Sequence, residues 1–261
     1  MNSSTTKATE ALMSLLPNIY RDIAQPGLSV IGKAIGDAMK FCVLPFTAVG
    51  TVADGVNTNL QHRLSEYAKK LERIPEEKVV DVHPQIAVPV IQKLSYTTNQ
   101  DIANLFTNLL ATASNIETAD KAHPGFENII SQLSPDEARI IQYLKAHEDI
   151  QYCEWKAFVA HGEGYNTLLN HSTLIPMRVK LDFPQNILAY YANLVRLGIL
   201  VDMVNVYRVA NAEYDKIKEA YNFDQYNNLV PHFFKRLEFN KSYYSVTDFG
   251  KLFIKACSDK E

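Results

Sequence analysis

The chain has few of the residues from which active sites and disulfide frameworks are usually recognised. Its 261 residues include three cysteines and one tryptophan. The cysteines Cys42, Cys153 and Cys257 are widely separated and form no Cys-x-x-Cys pair. An odd number of scattered thiols is typical of a reducing compartment. We therefore expect a cytoplasmic protein. We interpret Cys153 and Cys257, which have no nearby charged partner that would mark a nucleophile, as packed thiols.

An excess of basic charge is also missing. The formal net charge is −3, and residues 200–261 carry nine Lys/Arg against nine Asp/Glu. Binding to nucleic acid draws most of its affinity from basic side chains facing phosphates, so we do not expect a nucleic-acid partner. The N-terminus "MNSSTTKATEALMSLL" lacks the basic start, apolar run and cleavage site of a signal peptide. We therefore expect no export.

The glycine motifs of nucleotide-binding and hydrolase folds are absent as well. The sequence contains no G-x-x-x-x-G-K-[ST], no G-x-G-x-x-G and no G-x-S-x-G. Each of these motifs places backbone amides or a nucleophile where a phosphate or an acyl group is bound. We therefore expect no cofactor.

Helical periodicity is the strongest pattern that the chain does contain. Apolar residues between 102 and 113 recur at helical spacing, and similar but shorter stripes follow within 126–133 and 138–144. Thr98 with Asp101 resembles a capping box at the start of the first of these helices. The pattern predicts three helices that face one core.

The pattern changes after residue 150, where short helices and short strands are indicated. Residues 186–197 predict a helix that ends at Gly198 and leads into an apolar strand. A later strand ends at Thr247, which would cap a terminal helix. This order is typical of a winged-helix domain. We therefore expect a mainly α protein, with a helical bundle followed by a small α+β winged-helix-like C-terminal domain.

Three parts follow from this pattern. They are glycine-rich N-terminal helices over 1–75, a central helical core over 76–149 and the C-terminal domain over 150–261. An amphipathic helix over 5–24 and a glycine-rich segment over 26–56 belong to the first part.

The glycine-rich segment is the best indication of a contact surface. Its uncharged run is shorter than the roughly 18–20 residues that a membrane-spanning helix needs. Small residues at Gly32 and Gly36 allow close helix packing, either in a soluble bundle or in a membrane. Few basic residues flank the run, which favours burial or subunit packing over reversible contact with the inner membrane. The candidate contact residues are Phe41, Leu44, Phe46 and Val49.

A nuclease-like pattern supplies the sharpest enzymatic hypothesis. Asp136 after a proline, followed later by Glu154 and Lys156, fits the P-D…E-x-K arrangement in which two carboxylates hold Mg²⁺. Those carboxylates would have to come from adjacent strands. Helix capping explains the first half equally well, because Ser134 and Glu137 have capping-box spacing and Pro135 would occupy the first helical position. We favour capping.

His123 is the other candidate for chemistry. Asp120, His147, His161 and His171 could join it around a metal, but none has the spacing that identifies a zinc site. We therefore favour a structural role, in which Pro124 opens a helix and His123 lies at its cap. No metal site is expected.

DNA binding by the C-terminal domain is a further alternative. The candidate recognition helix, 186–197, has Arg196 as its only base. Recognition helices need polar and basic side chains to reach bases and phosphates. The composition favours a helix used for contact with protein or for dimerisation.

Residues 102–144, "IANLFTNLLATASNIETADKAHPGFENIISQLSPDEARIIQYL", resemble the bacterial abortive infection alpha family. The matching positions are an H-P-x-F motif and a Q-L-S-P-D-E-A motif, which include His123, Pro124, Phe126, Ser134, Pro135, Asp136 and Glu137. The resemblance implies a cytoplasmic bacterial protein of phage defence, and it transfers no catalytic residues. We expect a non-enzymatic protein that binds a phage or host protein, with self-association as a further expectation. A nuclease and a DNA-binding regulator are the alternatives.

Overall fold

A computed structural model describes residues 53–159, 164–209, 212–222, 224–227 and 234–258. The helix predicted over 5–24 lies outside these residues, as does all but the last part of the glycine-rich segment. The candidate contact residues Phe41, Leu44, Phe46 and Val49 therefore also lie outside them. The chain divides into two compact units, Met1–Ala138 with Leu252–Glu261, and Arg139–Lys251.

The first unit is built mainly from helices in its described part, with one isolated β-bridge between Val79 and Asn115. The helices are α1 (Ala53–Leu71), α2 (Pro84–Tyr96), α3 (Gln100–Ala113) and α4 (Gly125–Ile130), followed by the start of α5 (Pro135–Leu144) and joined by the end of the terminal helix α10 (Asp248–Cys257). The predicted stripe of α3 is buried, including Leu105, Phe106, Leu109 and Leu110. Burial of side chains of this size contributes about 1.5–3 kcal/mol each, so α3 forms the centre of this core.

The cap of α3 differs from the prediction. Asn99 is the N-cap residue, and its Oδ1 accepts a hydrogen bond from the Ile102 amide at 3.1 Å. The capping box expected from Thr98 and Asp101 was wrong, because the helix begins one residue later than that pair requires. Asparagine caps a helix as well as threonine does, and the Thr98 carbonyl instead accepts from the buried Arg63.

Polar side chains of α3 also bind the end of α10. Asn108 Nδ2 donates to the Cys257 carbonyl at 3.0 Å, and Thr112 Oγ1 donates to the Ala256 carbonyl at 2.8 Å. The last carbonyls of a helix have no partner within the helix. These two bonds satisfy them inside the core. The separation in sequence is more than 140 residues, so no local pattern predicts them.

The second unit contains a four-stranded antiparallel sheet in the order β2-β1-β4-β3. The strands are β1 (Asp149–Val159), β2 (Tyr165–Ser172), β3 (Leu200–Met203) and β4 (Phe234–Val246). The helices within the unit are α6 (Ile175–Arg178), α7 (Ile187–Arg196), α8 (Ala212–Ala220) and α9 (Asp224–Asn227). One small core cluster includes Trp155 of β1 with Tyr214 and Ile217 of α8.

The described fold is therefore mixed α and β, with helices in the majority. Strands β1 and β4 have 11 and 13 residues, so the expectation of short strands was wrong for this pair. Hydrogen bonds along their full length hold them together, and that pairing is invisible in either strand alone. Among the described helices, none has the length and apolar composition needed to cross a membrane.

Candidate functional site

Helix α7 has the most unusual surface in the second unit. A 3₁₀ turn at Pro184–Asn186 leads into it, and Leu197 is its C-cap residue. Gly198 follows with a φ of 74°, its amide donating to Val195 O at 3.0 Å. Side chains rarely adopt this left-handed conformation, which glycine tolerates. Gly198 closes the helix as the sequence predicts, and β3 begins two residues later.

One face of α7 is packed into the unit. Tyr190, Tyr191 and Leu194 are buried on this face. The Tyr191 hydroxyl bonds Thr173 Oγ1 at 2.7 Å, and the Tyr191 ring lies 4.8 Å from that of Tyr244. Burial raises the pKa of Tyr191 above its ordinary value. This face therefore fixes the helix by packing and hydrogen bonding together.

The opposite face of α7 is exposed and carries three apolar side chains and one base. Leu188 is 40 % exposed, and Ala189 and Ala192 are also exposed. At 100° per residue these three side chains lie within about a third of the helix circumference. Arg196, about 80° from Leu188 on the same projection, lies between Ala192 and Ala189 and is also exposed. This surface, Leu188, Ala189 and Ala192, is called the α7 face below.

Arg196 is the single base on α7 and is engaged within the helix. Its Nε and Nη2 donate to Asn193 Oδ1 at 3.1 and 2.6 Å. A guanidinium reads guanine or phosphate through these same donors. Arg196 is the only cation on α7, and two of its nitrogen atoms already donate hydrogen bonds within the helix.

The terminal helix α10 is joined tightly to the start of β3. Thr247 Oγ1 donates to Gly198 O at 2.5 Å and accepts from the Gly250 amide at 2.8 Å. The predicted Thr247 cap is therefore present. A Cβ placed on Gly250 would lie 2.2 Å from Ile199 O, so this approach requires glycine. The glycine of the T-x-x-G pattern is therefore explained by the close approach of Gly250 to the Ile199 carbonyl.

The segment 123–137 forms a corner between helices α4 and α5. His123 Nδ1 accepts from the Gly125 amide at 3.0 Å at the start of α4. Ser134 and Glu137 exchange capping-box bonds, with the Ser134 amide donating to Glu137 Oε2 at 2.6 Å and the Glu137 amide donating to Ser134 Oγ at 3.3 Å. These residues have structural partners that account for their positions.

The nuclease-like pattern does not meet its geometric requirement. Asp136 lies in the first turn of helix α5, whereas the pattern needs both carboxylates on strands. Glu154 and Lys156 lie on β1 and form an ion pair at 3.1 Å. Within the described residues, no three His, Cys, Asp or Glu side chains are grouped as a metal site.

The structure explains the other histidine and cysteine candidates that it describes, whereas His161 lies outside the described residues. His147 stacks on Tyr143 with ring centroids 4.1 Å apart. Cys153 and Cys257 are buried free thiols. Burial raises the pKa of Cys153 to about 12 and raises that of Cys257 as well. A thiol must ionise to act as a nucleophile, so both behave as packed side chains, as the sequence analysis expects.

Sequence reasoning missed a polar cluster on the sheet. His171, with a φ of 44°, stacks on Tyr152 at 4.1 Å and bonds the Tyr244 hydroxyl through Nδ1. Its Nε2 lies 3.5 Å from Glu154 Oε1. The Tyr152 hydroxyl donates to Asp202 Oδ1 at 2.7 Å. The cluster connects all four strands, and no spacing in the sequence predicts it because its members are up to 92 residues apart.

An open cleft of about 460 Å³ lies elsewhere in the same unit, lined in part by Tyr143, Asp149, Arg178 and Glu213. Its charges are matched within the chain. Arg178 Nη2 donates to Glu213 Oε2 at 3.0 Å. Asp149 accepts from Arg208 at 2.6 and 2.8 Å. The cleft therefore offers internal ion pairs rather than a charged binding site.

These features define a class of protein in which a helix beside a small sheet exposes apolar side chains, and in which the described part of the chain contains no recognisable catalytic arrangement. The chain belongs to the abortive infection alpha family, whose model matches residues 58–257. The resemblance seen in residues 102–144 is thereby confirmed. The family connects the protein with abortive infection, the form of phage defence in which the infected cell stops growing or dies.

Comparison with curated proteins finds no match. Among solved structures, the chain is similar to an uncharacterized protein from the hydrocarbon-degrading marine bacterium Alcanivorax borkumensis SK2. The two are 13 % identical, the match covers 51 % of this chain and 92 % of the other, and the TM-score is 0.33.

Proposed function

We propose that this protein serves abortive infection as a non-enzymatic cytoplasmic component that binds a phage or host protein through the α7 face. The observation that carries the proposal is the exposure of Leu188, Ala189 and Ala192 on a helix whose other face is already buried. Exposed apolar surface on a soluble domain commonly marks a site of protein contact.

We also propose that residues 135–257 form a winged helix in which α7 is the recognition helix. The strand order β1-β4-β3, with α5 before β1, α7 between β1 and β3 and α10 after β4, supports this proposal. In a winged helix the recognition helix is the element presented to the binding partner. The α7 face then occupies the position from which partners are bound.

The chemistry of α7 favours a protein partner over DNA. Base readout requires donors and acceptors on the exposed face, and phosphate binding requires cations. The α7 face consists of one leucine and two alanines, and Arg196, which lies among them, donates to Asn193 of the same helix. Apolar side chains of this kind contribute affinity when a protein surface removes them from water.

A plaque assay with one exposed residue changed tests the proposal. The cells express the full chain and are infected with a panel of phages. Leu188→Asp places a charge in the contact and should cost about 2 kcal/mol, which weakens the affinity roughly thirtyfold. Protection should therefore fall strongly, while the melting temperature should change little because the side chain is exposed.

Ile116→Asp is the matched control, since Ile116 is 64 % exposed and lies in the other unit. It should leave protection unchanged. If Leu188→Asp protects as well as wild type does, the α7 face is not the contact. If wild type protects against no phage in the panel, the defence role itself is contradicted.

A further inference from the structure

Strand β2 forms an outer edge of the sheet. In the described part of the chain it pairs with β1 alone. At the end of this hairpin the Val159 amide donates to the Gly164 carbonyl at 3.2 Å. Because hydrogen-bonded positions alternate along an antiparallel pair, the amides and carbonyls of Tyr165 and Thr167 point away from β1. The edge therefore presents two donors and two acceptors.

The residues that carry these groups lie at the surface of the unit. Tyr165 is 52 % exposed, and Asn166 and Thr167 are exposed as well. Further along the strand, no residue before Ser172 is buried. A second strand can therefore reach the free hydrogen-bonding groups without displacing any described part of the chain.

β2 has none of the side chains that normally prevent pairing at an edge. Its sequence, YNTLLNHS, contains no lysine, arginine, aspartate, glutamate or proline. Natural edge strands are usually protected by charge, by proline or by a covering element. Lys156 of β1 is engaged within its own chain, because its Nζ lies 3.1 Å from Glu154 Oε2 and 5.1 Å from the centroid of the Tyr165 ring. An uncharged edge can meet an identical edge without repulsion, as a two-fold interface requires.

From these observations we infer that β2 pairs antiparallel with β2 of a second copy of this chain, which gives a homodimer with a continuous eight-stranded sheet. The two-fold axis passes beside Asn166. In this register Tyr165 of each copy exchanges two hydrogen bonds with Thr167 of the other, so four bonds form. An axis beside Tyr165 or Thr167 would place only one such pair between these residues and would give two bonds.

The side chains are compatible with this register. The two Asn166 residues lie directly opposite each other, with Cα atoms about 4.5 Å apart, and their amides can both donate and accept. Tyr165 of each copy lies opposite Thr167 of the other on one face of the sheet, which is a favourable aromatic and β-branched pair.

The contact is short, since β2 has eight residues. We therefore expect an affinity at the weak end of specific interfaces, with a Kd of about 10–100 μM. The dimer uses an edge that does not include the α7 face, and its existence does not depend on the proposed function.

Sedimentation equilibrium of the full chain at about 300 μM, above the expected Kd, tests the dimer. The wild-type mass should rise toward twice the chain mass of 29.5 kDa. Asn166→Lys places two like charges opposite each other at the axis and should have the mass of one chain. Asn166→Gln keeps an uncharged amide and should remain dimeric. Thr167→Pro removes a donor that points away from β1, and it should also be monomeric.

A disulfide at the axis tests the register. Cα atoms at opposed positions of this kind are close enough for a disulfide. Asn166→Cys, in a chain whose Cys42 is replaced by serine, should form a covalent dimer on mild oxidation, because Cys153 and Cys257 are buried. Asn170→Cys is the matched control, since position 170 is also exposed on β2 but would lie more than about 20 Å from its copy across the axis.

Circular dichroism of each variant shows whether the fold is retained, and Thr167→Pro is the second disrupting variant if Asn166→Lys does not fold. Leu188→Asp should remain dimeric, which separates this test from that of the α7 face. A monomeric wild type would overturn the proposal, and so would a folded Asn166→Lys or Thr167→Pro protein that keeps the wild-type mass. Equal yields of covalent dimer from Asn166→Cys and Asn170→Cys would overturn the register.

Discussion

Replacing Gly250 by alanine tests the contact between α10 and the start of β3. Gly250 lies inside a helix, where alanine is more favourable than glycine by about 1 kcal/mol. The added Cβ, however, would lie 2.2 Å from Ile199 O and 3.0 Å from Val246 Cγ1. Overpacking of this kind typically costs 1–3 kcal/mol or more. The first contact is with backbone, so no side-chain rotation relieves it.

The steric cost should exceed the gain in helix propensity. We expect Gly250→Ala to lower the free energy of unfolding by about 2 kcal/mol, a loss of about 4–8 °C in melting temperature for a chain of this size. Urea unfolding followed by fluorescence measures it, because Trp155 is the only tryptophan and is buried in the same unit.

Gly164→Ala is the matched control for this measurement. A Cβ at Gly164 would meet nothing within 4 Å, so its effect should be neutral or slightly stabilising. If Gly250→Ala is as stable as wild type, or more stable, the gain in helix propensity outweighs the steric cost of the contact with Ile199 O. The account of the T-x-x-G pattern would then be refuted.

Two further predictions concern the helical unit. Ser134→Ala removes the acceptor of the Glu137 amide and should lower stability by about 1 kcal/mol in thermal unfolding, and an unchanged melting temperature would contradict the capping role. Burial raises the pKa of Tyr67 to about 12 from an ordinary value of 10. Burial of the neutral Tyr67 hydroxyl therefore contributes its full share to the free energy of unfolding below pH 10. That share, about 2–3 kcal/mol, is lost as the pH rises from 10 to 12. Tyr67→Phe should flatten the fall of unfolding free energy across that range, and an equal slope in both proteins would exclude this role.

Local signals in the sequence predicted local structure well. Gly198 ends α7, Thr247 caps α10 and the Ser134–Glu137 pair caps α5, because each of these features depends on residues within four positions of one another. The α3 stripe was predictable for the same reason. The start of α3 was misplaced by one residue because Thr98 and Asn99 are both acceptable caps.

Features that depend on distant residues could not be predicted. The full length of β1 and β4 follows from their pairing across some 85 residues of chain. The cluster around His171 brings together β1, β2 and β4 with a bond from β1 to Asp202 of β3. The exposure of Leu188 depends on what covers α7, and periodicity alone does not distinguish a buried apolar face from an exposed one.

The central claim is that the α7 face contacts another protein during infection. A photo-crosslinking amino acid at position 192, introduced into the full chain in infected cells, tests this most directly. The account predicts a covalent adduct between this chain and a different protein. The same amino acid at Thr167, an exposed position on β2, should give no such adduct. If position 192 gives no adduct, or if both positions give the same products, the account is contradicted.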